Sequence, residues 1–541
     1  MQEENMNQPG GLPTPPSQNK VPTWLILAIV IALVVLVGIG VFAFYKKYDV
    51  GQKQFDYSQT KTTKNKDAMQ KDKDSMNKGY VKDDTGQDNG DDGDDNDTDP
   101  GPGDDPVEPI ADPVDPGVAI AFPGAEGPGT KTVGGRGGEV IKVTNTNHEG
   151  PGSLLEALES SGPRIIVFET GGTIDLEGDS IRITDPYVTV AGQTAPGDGI
   201  QITNGQVIIQ THDVVIRGMR FRVGSQNGED STLRGVMMQG PEAYNIVLDH
   251  NSVSWGRGGN FYVFDQAHDI TISWNIIAEA LTLDGSKGLT HHKTAGENIA
   301  SHHNVLISNK IRSPQTKAKH NEVINNFVYN YGRHGTNVWL PPGSTANVVN
   351  NVYVPGPDTK VEGQSGITIA NEENPRTGEW GTTEDSLYLS GNVGPGRETV
   401  LDTTLSEEWS AVFPENGAQS DVLVTTPFSS TNITVHPASS VQSLLLAADG
   451  AGAIVPTRDA VDERIIAGVY SNTGRIIDTQ DQVGGWDTLA AGVAPQDSDD
   501  DGMPDTWEEN HGTNPNVADD DGDIDNDGYT NIEEYINSFF D

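Results

Sequence analysis

The sequence predicts an all-β chain whose body is a right-handed parallel β-helix, a solenoid, with an N-terminal transmembrane helix and a small C-terminal loop-and-helix module. Three observations predict it. Short β-branched runs ending in Asn recur at unequal steps of twenty-odd residues, residues 24–45 carry no charge, and the last 45 residues hold sixteen acids without one Lys or Arg. The 541 residues include 63 Gly and no Cys, which suits a chain of many turns and excludes a disulfide scaffold or Cys-ligated metal. With 34 Lys+Arg against 79 Asp+Glu, a net charge of −45 argues against a nucleic-acid partner, whose phosphates require cations.

After a polar segment, 1–23, the uncharged stretch from Trp24 to Tyr45 would span about 33 Å as a helix, enough to cross a hydrocarbon core. Trp24 and Tyr45 stand at its ends, where amphipathic rings favour the headgroup level. Lys46-Lys47-Tyr48 follows in place of a small-residue cleavage site, so an uncleaved anchor is expected rather than a signal peptide. Lys46, Lys47 and Lys53 outnumber Lys20, which favours a cytoplasmic C-terminal side; long domains translocate regardless of such counts, so the domain that follows decides. Residues 46–117 are polar throughout, and fourteen acids crowd 83–116; they read as a disordered acidic linker that self-repels.

The β-helix is expected over 118–490. Asn245-Ile-Val-Leu-Asp-His-Asn251, Asp269-Ile-Thr-Ile-Ser-Trp-Asn275, Asn298-Ile-Ala-Ser-His-His-Asn304, Val323-Ile-Asn-Asn326 and Asn347-Val-Val-Asn-Asn351 superimpose, with steps of 24, 29, 22 and 25 between terminal Asn residues. Stacked coils explain the column: an inward amide accepts from one coil and donates to carbonyls of the next. A β-sandwich would need hairpin turns of about two to five residues, which are not seen.

Residues 117–496 carry only −19, and inside them 250–334 is basic. Eight of twelve His fall there, among Arg257, Lys287, Lys293, Lys310, Arg312, Lys317, Lys319 and Arg333. Matching positions of successive coils align, so these cations are expected to line a groove for a polyanion. Individual histidines, alternating in and out on strands, are expected mostly to pack.

These residues also carry a resemblance. Ala121-Phe-Pro-Gly-Ala-Glu-Gly127, Gly134-Gly-Arg-Gly-Gly138, Gly150-Pro-Gly-Ser-Leu154, Val247-Leu-Asp-His250, Ser301-His-His-Asn304 with Arg312-Ser-Pro314, Arg458-Asp-Ala-Val461 and Gly484-Gly-Trp486 together resemble polysaccharide lyases of the pectate lyase family 1 type. The resemblance implies β-elimination on polygalacturonate, in which a base removes the C5 proton and Ca²⁺ neutralises the adjacent carboxylate. It implies Arg312 and Lys287 as catalytic residues, with Lys293, Lys317, Arg257 and His250 binding substrate. The family's Arg-x-Pro-x-x-Arg motif is kept except that Lys317 replaces the second Arg, retaining charge without planar two-point recognition. The acids that related sequences offer for calcium after the Ser-Trp are absent from Ser254-Trp255-Gly256-Arg257. Glu229 or Asp230 matches the upstream ligand, Asp249 and Asp265 are weaker candidates, and Arg257 is a candidate substitute for the metal.

In the tail, 495–541, Asp497, Asp499, Asp501, Asp505 and Glu508 stand at positions 1, 3, 5, 9 and 12 of a loop with Gly502 at position 6. Asp523, Asp525, Asp527, Asn531 and Glu534 repeat the pattern around Gly528. This is EF-hand loop spacing, and it predicts two calcium sites. The pair resembles the dockerin or thrombospondin type 3 modules appended to secreted polysaccharide enzymes. The expectation is therefore a single-pass membrane protein with an extracytoplasmic catalytic domain, monomeric, acting on pectate. The alternatives are a glycoside hydrolase on the same fold and a non-catalytic polyuronate-binding surface protein.

Overall fold

The computed structural model describes residues 119–540 apart from 226–231, 283–286, 292–295, 334, 361–365, 370–381, 383–385, 396–411 and 415–419. The expected membrane helix, the acidic linker, Asp230 and Lys293 lie outside the described residues. Among those described, no helix is long and apolar enough to cross a membrane.

Each coil passes once through three parallel sheets. Tyr244–Asp249 lies in sheet A, Ser252–Ser254 in sheet B and Phe261–Phe264 in sheet C; His268–Ser273 then returns to sheet A beside Tyr244–Asp249. Among the described residues sheet A has ten strands, sheet B eight and sheet C nine, every pair parallel and in register. The strands are short and β-branched because each must bury one face inside the coil. Ile246, Ile270 and Ile299 align on successive rungs and fill the interior with Leu248, Ile272 and Val323.

The corner from sheet A to sheet B carries the expected Asn column. Asn251, Asn275, Asn304, Asn326, Asn351 and Asn392 are fully buried, and each Oδ1 after the first accepts the backbone N–H and the side-chain amide of the Asn one coil below. The residue before the Asn must turn the chain with positive φ: His250, Trp274, His303, Asn325 and Asn350 lie between +50° and +55°. Their rings stack as the coils do, with His250 over Trp274 at 5.6 Å and Trp274 over His303 at 4.8 Å.

Helix α1, Leu154–Glu159, begins at Ser153, whose hydroxyl accepts the Glu156 N–H at 3.2 Å, and it buries Leu154, Ala157 and Leu158 against the first coils. After the last strand the chain runs back along the solenoid. Helices α2, Ala438–Leu446, and α3, Ala460–Ser471, cover sheet B, packing Val441, Leu445 and Ile465 on Ile276, Val305 and Phe327. Asp459 caps α3 and, with Asp462, holds the fully buried Arg222 at 2.9 and 2.8 Å. Helices α4, Asp505–His511, and α5, Asn531–Asn537, lie over the first strands of sheet A. Sheet C is thus the sheet that no C-terminal helix covers among the described residues.

Candidate functional site

A column of cations leads into sheet C. Among the described residues, each turn from sheet B to sheet C between Arg222 and Ile367 carries at least one: Arg234, Arg257, Lys287, Lys310 with Arg312, Arg333 and Lys360. Backbone hydrogen bonds between coils fix their phase. Arg257 N–H donates to Leu233 O at 2.9 Å, Asn260 N–H to Lys287 O at 3.1 Å, Leu289 N–H to Arg312 O at 2.9 Å, and Arg333 N–H to Lys310 O at 2.8 Å. Lys287 pairs directly with Ile311 as a parallel bridge, which sets it one rung from Arg312. A Cβ on Gly288 would come within 2.9 Å of the Asn309 amide and 3.1 Å of the Ser313 hydroxyl, so a side chain here would have to push those two neighbours aside. Arg312 has φ +63°, a left-handed conformation uncommon outside Gly and Asn.

Lys287 and Arg312 are half-buried, Arg257 is only 5 % exposed, and Lys317 is 8 % exposed with its ammonium 4.3 Å over the Trp339 ring. The face beside them is aromatic and uncharged. Met237 aligns with Tyr262 and Tyr262 with Thr290, while Arg234 lies over the Tyr262 ring at 4.4 Å. None of the described strands of sheet C contains Asp or Glu. Of the cations grouped by sequence, Arg257, Lys287, Lys310, Arg312 and Arg333 come together in the sheet B to sheet C turns. Lys319 does not; it sits at the opposite end of the sheet C strand, paired with Glu297.

His250 and Asp249 belong to another corner. Asp249 ends a strand of sheet A, 2 % exposed, and accepts from Arg217 Nε at 3.0 Å, His250 Nδ1 at 2.6 Å and Ser273 Oγ at 2.7 Å. Burial alone would raise its pKa, but the His250 and Arg217 charges and these bonds hold it well below the usual carboxylate range. Both oxygens are engaged, which does not fit calcium ligation. His250 stacks between Trp274 and Phe540, so the structure places it in the Asn corner and not among the cations of sheet C. His302 and His303 are there too, His303 bonded to His436 at 2.9 Å and pushed by burial and its neighbouring imidazoles down to about 2. Asp265 lies in the turn from sheet C to sheet A, half-buried.

The two acidic loops fold as loops. In the first, Asp497 accepts the N–H groups of Asp500 and Gly502, and Asp501 that of Met503, all at 2.8–2.9 Å. The carboxylates of Asp497, Asp499 and Asp501 converge, as do those of Asp501, Glu508 and Asp519. Glu508 is 0 % exposed and neither of its oxygens has a hydrogen-bond partner; the same is true of both Asp499 oxygens. Burial and then the charges of Asp499, Asp501 and Asp519 push Glu508 up to about 7, and burial leads in raising Asp501 to about 6. Asp505 does not join them: its oxygens accept the Ser498 N–H and hydroxyl at 2.7 and 2.8 Å. Asp519 was not legible from the 12-residue spacing, since it lies 18 residues beyond Asp501; the run Asp519-Asp520-Asp521 was its only sequence sign. In the second loop Asp523, Asp525 and Asp527 converge at the surface. Asn531 Oδ1 there accepts the Ile524 N–H at 3.2 Å, and Glu534 lies on α5.

The chain is 36% identical over 429 residues to a probable pectate lyase C of Aspergillus flavus, covering 77% of this chain and 94% of that one. It is 35% identical over 423 residues to a probable pectate lyase C of Emericella nidulans, covering 77% and 92%. Among solved structures, a pectate lyase bound to hexasaccharide aligns with a TM-score of 0.41 at 16% identity, covering 61% of this chain and 96% of that one. No family model matches the chain.

Proposed function

The chain belongs to the pectate lyases, and on that premise we propose that it cleaves polygalacturonate by β-elimination, with Arg312 as the base and Lys287 beside it. The observation that carries this reading is the rung-to-rung placement of Lys287 and Arg312 in a column of cations on the sheet that the C-terminal helices leave uncovered. A polyuronate lying along that column meets positive charge at each coil.

The reaction takes the proton from C5, α to the uronate carboxylate. The C5–H electrons become the C4=C5 double bond as the C4–O4 bond breaks, and O4 departs with the chain fragment and gains a proton. An Arg base must be neutral when it acts, although its ordinary pKa is above about 12. Lys287, Lys310 and Arg333 stand in the turns around it, and neighbouring like charge is what such a base requires. Lys317, held over Trp339, supplies charge without bidentate geometry.

Ca²⁺, where a lyase binds it beside the scissile bond, neutralises the uronate carboxylate and stabilises the developing enolate. The described residues of this face do not fit such an ion: the described strands of sheet C offer no carboxylate and Asp249 is buried at the Asn corner, while Glu229 and Asp230 lie outside the described residues. No step is therefore derived through a metal. Arg257 is the proposed substitute, and cleavage in chelator that disappears in Arg257→Ala supports it, whereas full activity of that variant sinks it.

A digest of polygalacturonate followed by ultraviolet absorbance tests the function. A lyase leaves a 4,5-unsaturated, absorbing end, whereas a hydrolase gives reducing ends without absorbance and a binder gives neither. Arg312→Ala is expected to lower kcat by about 10²–10⁴-fold, the usual contribution of a positioned base. Equal rates in the variant would remove Arg312 from the mechanism.

The two C-terminal loops are read as calcium sites of about 10⁻⁴–10⁻³ M affinity, supported by the orphaned buried oxygens of Glu508 and Asp499. Residues 24–45 are read as a membrane anchor that holds the enzyme on the extracytoplasmic side, where a polymeric substrate and millimolar calcium are met. Release of activity from intact cells by a protease that cuts within 46–117 is the expected result.

A further inference from the structure

The acidic tail is not a free appendage. Met503, Ile532, Tyr535 and Ile536 pack on Ile165, Val167 and Ala191, the outward face of the first strands of sheet A. Polar contacts rim this patch. Lys142 bonds Asp497 at 2.7 Å and also Asp500, Arg136 Nε bonds Glu533 at 2.8 Å, Gln193 donates to Ile536 O at 3.0 Å, and Arg217 donates to Asn537 at 3.0 Å. Gly502, the turn residue of the first loop, has φ +96°, and a Cβ there would stand 2.6 Å from Val140. The loop that gathers the carboxylates thus also touches the β-helix directly.

Asp497, Asp499, Asp501, Glu508 and Asp519 gather around one region. Buried carboxylates of like charge are costly unless a cation compensates them, and the two Glu508 oxygens, fully buried and unpartnered, point into this cluster. Asp519 comes from beyond the 12-residue loop. Its N–H donates to Asp501 at 3.2 Å, and its carbonyl accepts the Asn531 amide at 2.7 Å, so it links the first loop to the start of α5.

We infer that Asp519 completes the first calcium site from outside its loop, and that calcium there clamps the C-terminal module onto sheet A, so that the ion stabilises the β-helix instead of presenting the module to a partner. This rests on reading the first loop as a calcium site. It assigns Asp519 a ligand role and gives α4 and α5 an intramolecular surface, the one they already cover. The same packing leaves their apolar residues unavailable for docking elsewhere.

The test uses the full-length chain, with Ca²⁺ alone as the probe, read by equilibrium dialysis, thermal unfolding and hydrogen exchange. Saturating Ca²⁺ is expected to raise Tm by about 3 °C over chelator and to slow exchange in Glu139–Val143 and Arg164–Phe168 as well as in the tail. Glu508→Gln and Asp519→Asn are each expected to weaken binding at the first site about tenfold or more and to lose the protection of those two strands. The apo protein should be no less stable in either variant, because a buried like charge has been removed. Unchanged binding in Asp519→Asn overturns the ligand assignment. Binding that protects only 497–537 overturns the clamp while the calcium loop stands. No Ca²⁺ retained by the wild-type chain overturns the calcium reading itself.

Discussion

Asp249 shows how one buried carboxylate is held charged by its neighbours. Its folded pKa is depressed by the His250 and Arg217 charges against the opposing effect of burial. A depressed carboxylate stabilises the fold fully above its unfolded value of about 3.9, and that stabilisation fades as pH falls through the lower folded value. Asp249→Asn leaves Arg217, 6 % exposed, without its buried counter-charge. The expected loss is about 3 kcal/mol at pH 7, in the range for breaking one side of a buried pair. Denaturant midpoints for the two proteins should converge as pH drops below about 4. Equal midpoints at pH 7 would mean that Arg217 draws its stabilisation from Phe122, Phe540 and Asn537 instead.

At the scale of the element, the Asn column is the feature that the sequence made most legible, because a side chain repeated at every coil leaves its spacing in the chain even when insertions make the steps unequal. The face occupied by each cation was less legible. A basic zone of 85 residues covers three to four coils, and each coil crosses all three sheets, so proximity in sequence mixes the sheet C turns with the Asn corner. Only phase within the coil separates Arg312, a few residues ahead of a sheet C strand, from His250, one residue ahead of a ladder Asn. The Asp-His motif sits next to the basic residues in sequence and on a different corner in space. Asp519 was hidden for a related reason, since its contact with Asp501 depends on how two helices fold back. The ladder itself is testable. Asn304 donates to Ile272 O at 2.8 Å, His302 O at 3.0 Å and Asn326 Oδ1 at 3.1 Å, while its Oδ1 takes the backbone and amide of Asn275. Asn304→Ala orphans these buried groups at about 1–3 kcal/mol each where water cannot reach. Urea unfolding should show a loss of about 3 kcal/mol or more, with KM for polygalacturonate unchanged because this corner is not on sheet C. An altered KM at unchanged stability would place substrate at the Asn corner.

For the whole molecule the issue is how a chain of net charge −45 handles an anionic polymer. The answer depends on distance. The cations of the sheet B to sheet C turns lie at the face proposed for substrate, whereas the sixteen acids of the last 45 residues belong to the tail that packs on sheet A. At about 0.15 M salt the Debye length is about 8 Å, so a polyuronate at sheet C senses the column of cations and little else. At about 0.01 M it reaches about 30 Å, and the acids elsewhere begin to repel the approaching chain. At salt well above physiological strength the column itself is screened. KM for polygalacturonate should therefore pass through a minimum as NaCl is raised from about 0.01 M to about 1 M, whereas a short neutralised analogue should show no such minimum. Initial rates across that salt series, at fixed calcium, measure it. A KM that rises steadily from the lowest salt would show that the remote acids never reach the substrate, and that the local column alone sets the approach.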